Sequence, residues 1–398
     1  MPDPRASFLL MDDVRVKDSA LRPVRRPVDF DTGRGTGGHQ VVVPVRSCVI
    51  PLSLLLLAAC SGSSGTTESP PSADAGAGTL VTGSGPTTSP TDGGTTTPTD
   101  AAAPPEFWDA SGIPNPKNVM IFKFLNRSNG AVADTELYWQ FKSNGINELH
   151  SFAQQPTYDM PANASGRMYF FVCKQGDATC AADPTKSKYY DFIEHTIGAA
   201  QYNGNTTRVD AFGLKIALKL HAADGFEEAV GEDYGTFAES RDATFARFLA
   251  EVPVEFAGCV QAPYRIVEPG GAGFNDGAHK TYYTSYVDQM WAANGISIPK
   301  PGPNGSGLAA YPDLSAAIFR HVGAAAGTFD ASGKLLIKDF WTDSTKFYPA
   351  APADYYARFW HAHGLDGKAY GFPYDDVGGY STYVSHKDPR YMLVAVGW

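Results

Sequence analysis

"YYDFIEHTIGAAQYNGNTTRVDAFG", residues 189–213, is an aromatic and β-branched run that places two acids, Glu194 and Asp210, sixteen residues apart. Its first part reads as a strand with Tyr190, Phe192, Glu194 and Thr196 on one face, and Arg208, Asp210 and Phe212 share a face of the next strand. How the two faces meet depends on the connection. A loop centred on Tyr202 puts the carboxylates on the same face, whereas a two-residue turn at Asn203 and Gly204 puts them on opposite faces. A bulge restores either arrangement, so spacing leaves both open.

Upstream, "NVMIFKFLN" (118–126), "TELYWQFKS" (135–143) and "GRMYFFVCK" (166–174) are further strand-like runs between Asn, Gly and Ser clusters. "TRVDAFGLKIALKL" (207–220) continues them with loose alternation, as in strands covered on both faces. The middle of the chain changes period. In "ESRDATFARFLAEVP" (239–253) Phe245, Phe248, Leu249 and Val252 fall at helical spacing and Pro253 ends the pattern. "YYTSYVDQMWAANG" (282–295), closed by Gly295, and "DLSAAIFRHVGAA" (313–325) also read as helices, before the strand-like pieces "KAYGFPYDDVG" (368–378) and "RYMLVAVGW" (390–398). The fold class is mainly β with an α/β insertion.

The first hundred residues hold almost no aromatics, so the folded mass lies beyond them. Residues 1–46 show mixed charge without periodicity and read as a disordered extension. So long a segment before the apolar run predicts a misassigned translation start, although only Met11 offers a later methionine. "CVIPLSLLLLAA" (48–59) is too short to cross a bilayer and reads as the apolar part of an export signal, with Arg46 on its flank. "LAAC" (57–60) resembles a lipobox, so residues 47–60 form a lipoprotein signal segment with Cys60 as the lipidated residue. Residues 61–105 are Ser, Thr, Gly, Pro and Ala and read as a disordered tether to a domain at 106–398. This predicts export, at the cell surface or free, with the membrane touched only through the anchor.

A net charge of -10 argues against nucleic acid as a partner, which requires clustered Lys and Arg. Of the cysteines outside the signal, Cys173 and Cys180 bracket a polar loop and can close a disulfide in an oxidising compartment, leaving Cys259 as a buried thiol. No CxxC pair or suitably spaced His accompanies them, so no metal site is expected. "HAH" (361–363) puts its imidazoles on different faces of a short helix, "EPGGAGFNDG" (268–277) lacks a phosphate-loop Lys, and "NAS" at Asn163 reads as a chance sequon.

Glycoside hydrolysis gives an acid pair a purpose, since one carboxyl protonates the leaving oxygen while the other activates water. Aromatics beside one acid and Arg208 beside the other would separate their proton affinities.

"YYDFIEHTI", "NTTRVDAFGLKIALKL", "APYRIVEPG" and "YGFPYDDVGGYSTYVSHKDPRYMLVAVG" together resemble glycoside hydrolase family 64, the bacterial β-1,3-glucanases, over about residues 113–398. "YGFPYDD" also resembles a segment of thaumatin-like proteins. The resemblance implies a thaumatin-like β-barrel or sandwich lobe and a mixed α/β lobe flanking a wide cleft for β-1,3-glucan. It further implies inversion without a cofactor, with Glu194 as acid and Asp210 as base, and laminaripentaose as the characteristic product; the chain is expected to act as a monomer. Thr196, Asn205, Arg208, Asp375 and Asp376 are the expected substrate-binding residues, and Trp139, Trp291 and Tyr283 are candidate stacking platforms. The few cysteines depart from the disulfide-rich plant thaumatin pattern, so that framework does not carry over. A non-catalytic glucan-binding or antifungal module is the rival reading.

Overall fold

Most of the strand-like runs form strands in the computed structural model, which describes residues 103–143, 145–293, 312–322, 328–329, 335–336 and 339–398. All belong to one compact unit. The N-terminal extension, the signal segment with Cys60, the tether as far as residue 102, and Gly295 lie outside the described residues.

The strands are β1 (Met120–Asn126), β2 (Leu137–Ser143), β3 (Ile146–Ser151), β4 (Thr157–Met160), β5 (Ala164–Val172), β6 (Tyr190–Ile197), β7 (Gln201–Thr206) and β8 (Ala211–Phe212). Next come β9 (Lys215–Ala222), β10 (Glu227–Gly231), β11 (Val260–Gln261), β12 (Arg265–Val267), β13 (Thr328–Phe329), β14 (Leu335–Leu336), β15 (Tyr383–Lys387) and β16 (Pro389–Gly397). The helices are α1 (Ala178–Ala182), α2 (Tyr234–Ala238), α3 (Arg241–Glu251), α4 (Thr284–Ala293), α5 (Pro312–Phe319) and α6 (Tyr355–Ala362).

Two large sheets enclose the first core. One has the order β15-β7-β6-β5-β2-β3 and the other β10-β9-β16-β1-β4, with β1 and β16 the parallel pair. Strand alternation sends Trp139, Phe141, Met168, Phe170, Ile193 and Ile197 from one sheet against Phe122, Phe124, Leu218, Val394 and Val396 from the other. Of the barrel or sandwich implied, the sandwich forms: among the described residues no hydrogen-bonded ladder joins the edges of the two sheets. Cys173 and Cys180 are disulfide-bonded at a Cα–Cα distance of 5.5 Å, and Cys259 is a buried thiol.

The insertion carries a second core, built from Phe245 and Phe248 of α3, Tyr286 and Met290 of α4, Leu314 of α5, and Phe359 and Trp360 of α6. Ser240 starts α3 by accepting a hydrogen bond from the Ala243 N–H, as expected for a serine cap. Leu249, although it fits the helical period, is 46% exposed, because the apolar stripe of α3 is narrower than its spacing predicts.

The β6–β7 hairpin turns at Gly198–Ala200, where the Gly198 N–H donates to the Gln201 carbonyl. Neither expected connection forms. Glu194 therefore pairs with Asn205, and Ile193, His195 and Ile197 point inward while Glu194 and Thr196 point outward. Beyond Thr206 the ladder stops, because Arg208 turns into the interior to meet two acids. Asp210 consequently lies on a loop instead of a strand, and the chain rejoins a sheet only at β8, in the order β11-β12-β8. "KAYGFPYDDVG" forms turns where a strand is predicted, since Asp375 takes the Gly371 N–H on its side chain and its own N–H donates to Phe372.

Candidate active site

The outward face of the six-stranded sheet brings the first acid into a polar row. Antiparallel register aligns Lys142 of β2, Arg167 of β5, Glu194 of β6, Asn205 of β7 and Tyr383 of β15. Arg167 Nη2 lies 2.9 Å from Glu194 Oε1, and Nε donates to the same oxygen at 3.0 Å. The guanidinium sits 4.1 Å over the Phe192 ring, which fixes its plane. Burial disfavours the Arg167 charge, but Glu194 overrides it and raises the guanidinium's affinity for its proton.

Asp210 approaches from the loop after β7. Its Oδ2 is 3.9 Å from Arg167 Nη1, so one guanidinium bridges both acids. Contacts of 2.9 and 3.9 Å at the two ends of that group cap the acid–acid separation at roughly 9 Å, which admits the roughly 6.5–9.5 Å of an inverting pair. Arg167 carried no recognisable motif signal; its place across from Glu194 is a matter of register.

A buried network holds this loop. Arg208 Nη1 donates to Asp191 Oδ2 at 2.8 Å and Nε to Glu232 Oε1 at 2.6 Å, while the Tyr356 hydroxyl donates to the Arg208 carbonyl. Asp191 Oδ2 also accepts the Gly213 and Leu214 N–H groups. Arg208, expected to bind substrate, thus sits inside as an anchor. Asp375 is likewise buried between Arg320 and His361; burial would raise its carboxyl, but His361 and Arg320 hold it below the usual range. Asp376 is exposed in the adjoining turn.

Thr196 is half-buried beside Asn203 in register, and Asn203 Oδ1 accepts from Gln201, Tyr383 and Ser385. Asn205 is fully buried; its Nδ2 donates to the Thr206 carbonyl while its Oδ1 has no hydrogen-bond partner. Trp139 packs in the sandwich core at 5.0 Å from Phe124, away from any sugar platform, and the Trp291 side chain lies outside the described residues. His361 and His363, as expected from their spacing, face separate partners, Asp375 and Glu251.

Behind Asp210 lies a pocket of about 200 Å³ lined by Glu268, Asn275, Tyr283, Phe319, Asp354 and Phe372 among others. Tyr283 is buried there with an unpartnered hydroxyl. The segment read as a loose Gly-rich loop supplies the wall: Glu268 caps a turn of 3₁₀ helix by accepting the Gly270 and Gly271 N–H groups. Burial raises the Glu268 carboxyl, those two donors lower it, and Asp210 raises it. An acid followed by Pro and two glycines is the cap signature that could have located it.

Two carboxylates joined through one guanidinium at the sheet surface form an arrangement that glycoside hydrolysis can use. The sequence profile of the β-1,3-glucanases, glycoside hydrolase family 64, matches residues 148–295 and 302–396, and the chain belongs to that family. Among solved structures, a laminaripentaose-producing β-1,3-glucanase of the same family from Paenibacillus barengoltzii shares 30% identity over 73% of this chain and 78% of its own, with a TM-score of 0.57. The same enzyme complexed with laminarihexaose matches with a TM-score of 0.56, again at 30% identity over 73% of this chain and 78% of its own. A β-1,3-glucanase domain from Clostridium beijerinckii, 20% identical over 72% of this chain and all of its own (100%), shares the fold with a TM-score of 0.59. No curated protein matches the chain.

Proposed function

We propose that this glycoside hydrolase is an endo-acting β-1,3-glucanase that works by inversion, as a monomer, releasing oligosaccharides of about laminaripentaose length. The observation that carries the reading is the bridging of Glu194 and Asp210 by Arg167 on one exposed face. In this mechanism Asp210 takes a proton from a water as its oxygen bonds to the anomeric carbon. The glycosidic bond breaks as Glu194 gives its proton to the leaving oxygen. The laminaripentaose product and laminarihexaose ligand of the Paenibacillus enzyme support the substrate and product length, and "YGFPYDD" supports a thaumatin-like kinship. Thr196, Asn203 and Asp376 are the polar groups beside the pair that a sugar hydroxyl can meet.

A proton NMR time course of residues 106–398 on soluble linear β-1,3-glucan tests this directly. New α-anomer preceding mutarotation is expected; β-anomer overturns inversion, and binding without new reducing ends favours the non-catalytic module. We also propose export with a diacylated Cys60 and residues 61–105 as tether, supported by the apolar run, the lipobox and the composition after it. Mass spectrometry of the N-terminal peptide from the membrane fraction is expected to begin at a lipid-modified Cys60; an unmodified, uncleaved segment refutes it.

A further inference from the structure

Glu194 stands in the sheet between two neighbours of opposite chemistry. Across β5 it faces Arg167, whose two N–H groups hold its carboxylate at 2.9 and 3.0 Å. Across β7 it faces Asn205, a fully buried amide whose oxygen has no hydrogen-bond partner. A buried, unpaired acceptor is costly, and a carboxyl group gains an O–H donor only when it is protonated. The carboxylate of Glu194 has a partner in Arg167, and the sheet register sets the unpartnered Asn205 oxygen on the neighbouring strand directly across from Glu194.

A general acid must be protonated while its base partner is ionised, yet a guanidinium between two carboxylates favours the ionised form of both. Resting on the acid and base roles proposed above, we infer that Arg167 and Asn205 are positioning residues that divide those roles. Protonated Glu194 turns its O–H toward Asn205 Oδ1 and releases Arg167, whose charge then stays with Asp210. Substrate binding displaces the O–H from Asn205 to the glycosidic oxygen. Arg167 is free to make this exchange because its side chain is 43% exposed and already lies 3.9 Å from Asp210. The other titratable or charged groups around the pair are Lys142 on β2, Tyr169 on β5, Tyr383 on β15, Tyr370 and Asp376 on the segment before β15, and Glu268 beside Asp210. None of them lies between Arg167 and Asn205 in the sheet register.

The two neighbours pull the pH profile in opposite directions, which supplies the test. In kcat/KM on soluble β-1,3-glucan, the acidic limb reports Asp210 and the basic limb Glu194. Arg167→Met is expected to move both limbs upward by about one pH unit, and Arg167→Lys to restore them toward wild type. Asn205→Ala is expected to move only the basic limb, and downward. Carbon-13 titration of the Glu194 carboxyl in wild-type and variant protein reads the same shifts without turnover, so an inactive variant remains informative. Limbs and carboxyl titration unmoved in both variants, or moved in the same direction, overturn the inference. Should Glu194→Gln and Asp210→Asn retain turnover, the acid and base assignment itself has failed, and that outcome is distinct.

Discussion

Arg208 Nη1 lies 2.8 Å from Asp191 Oδ2, with side chains only 2% and 4% exposed. Asp191 belongs to the strand of Glu194, whereas Arg208 belongs to the loop of Asp210, so this contact fixes Asp210 relative to Glu194. Asp191 reinforces it through the Gly213 and Leu214 N–H groups. No Cβ is tolerated at Gly213, where it would meet the Tyr190 carbonyl at 1.9 Å.

Arg208→Met leaves Asp191 and Glu232 buried without their cation, and burial already raises the Glu232 carboxyl against Arg208's pull. Breaking a buried pair from one side costs about 3–5 kcal/mol. We expect an unfolding free energy from urea denaturation lowered by that amount, with loss of activity. A near-wild-type midpoint would show that the network is dispensable.

Glu194→Gln and Asp210→Asn should each lower kcat by about three orders of magnitude or more while leaving the unfolding free energy from urea within about 1 kcal/mol, since Asp210 is exposed and Glu194 is only partly buried. Turnover and glucan binding measured on the purified variants decide it. Near-wild-type rates from either protein end the assignment.

His195 is packed between Phe122 and Phe141, at ring distances of 5.8 and 5.3 Å, with both nitrogens unpartnered. Burial lowers its pKa to about 4. The unfolded chain, titrating near 6.5, then binds the extra proton first, so this contribution to stability is present above pH 6.5 and lost as pH falls toward 4. The loss amounts to about 3 kcal/mol. Compared by urea unfolding, His195→Leu should lack that part of the acid destabilisation; parallel curves for the two proteins would rule it out.

Asp354 acts with the opposite sign. It caps α6 through the Ala357 N–H, and burial raises its pKa to about 7. The folded state holds its proton between the unfolded value near 4 and about 7, so stability falls as pH rises through that window and remains lower above it. Asn retains the cap without the charge. Asp354→Asn should therefore gain on wild type by a few kcal/mol from pH 4 to 8 in thermal unfolding, and a constant difference would contradict the assignment.

Much of the sandwich was legible because aromatic and β-branched runs between Asn, Gly and Ser clusters became β1, β2 and β5, because alternation in β6 matched its buried face, and α3 was legible from Phe245 and Phe248. Two local readings failed for identifiable reasons. Thr207–Asp210 has strand chemistry, yet the attraction of Asp191 and Glu232 for Arg208 outweighs two or three ladder hydrogen bonds. "KAYGFPYDDVG" has aromatic strand composition, yet Gly371, Pro373 and Asp375 favour turns and Asp375 is claimed by Arg320 and His361.

By itself, the sequence determined the main sandwich strands, the helices of the insertion, the two candidate acids and the family resemblance, because these depend on local periodicity and on motifs read in order. Tertiary structure alone decided the turn at Gly198–Ala200, the interior fate of Arg208 and Asp375, and the position of Arg167 between Glu194 and Asp210. Those depend on register and on buried charges finding partners far along the chain, and neither is a property of any single stretch of residues.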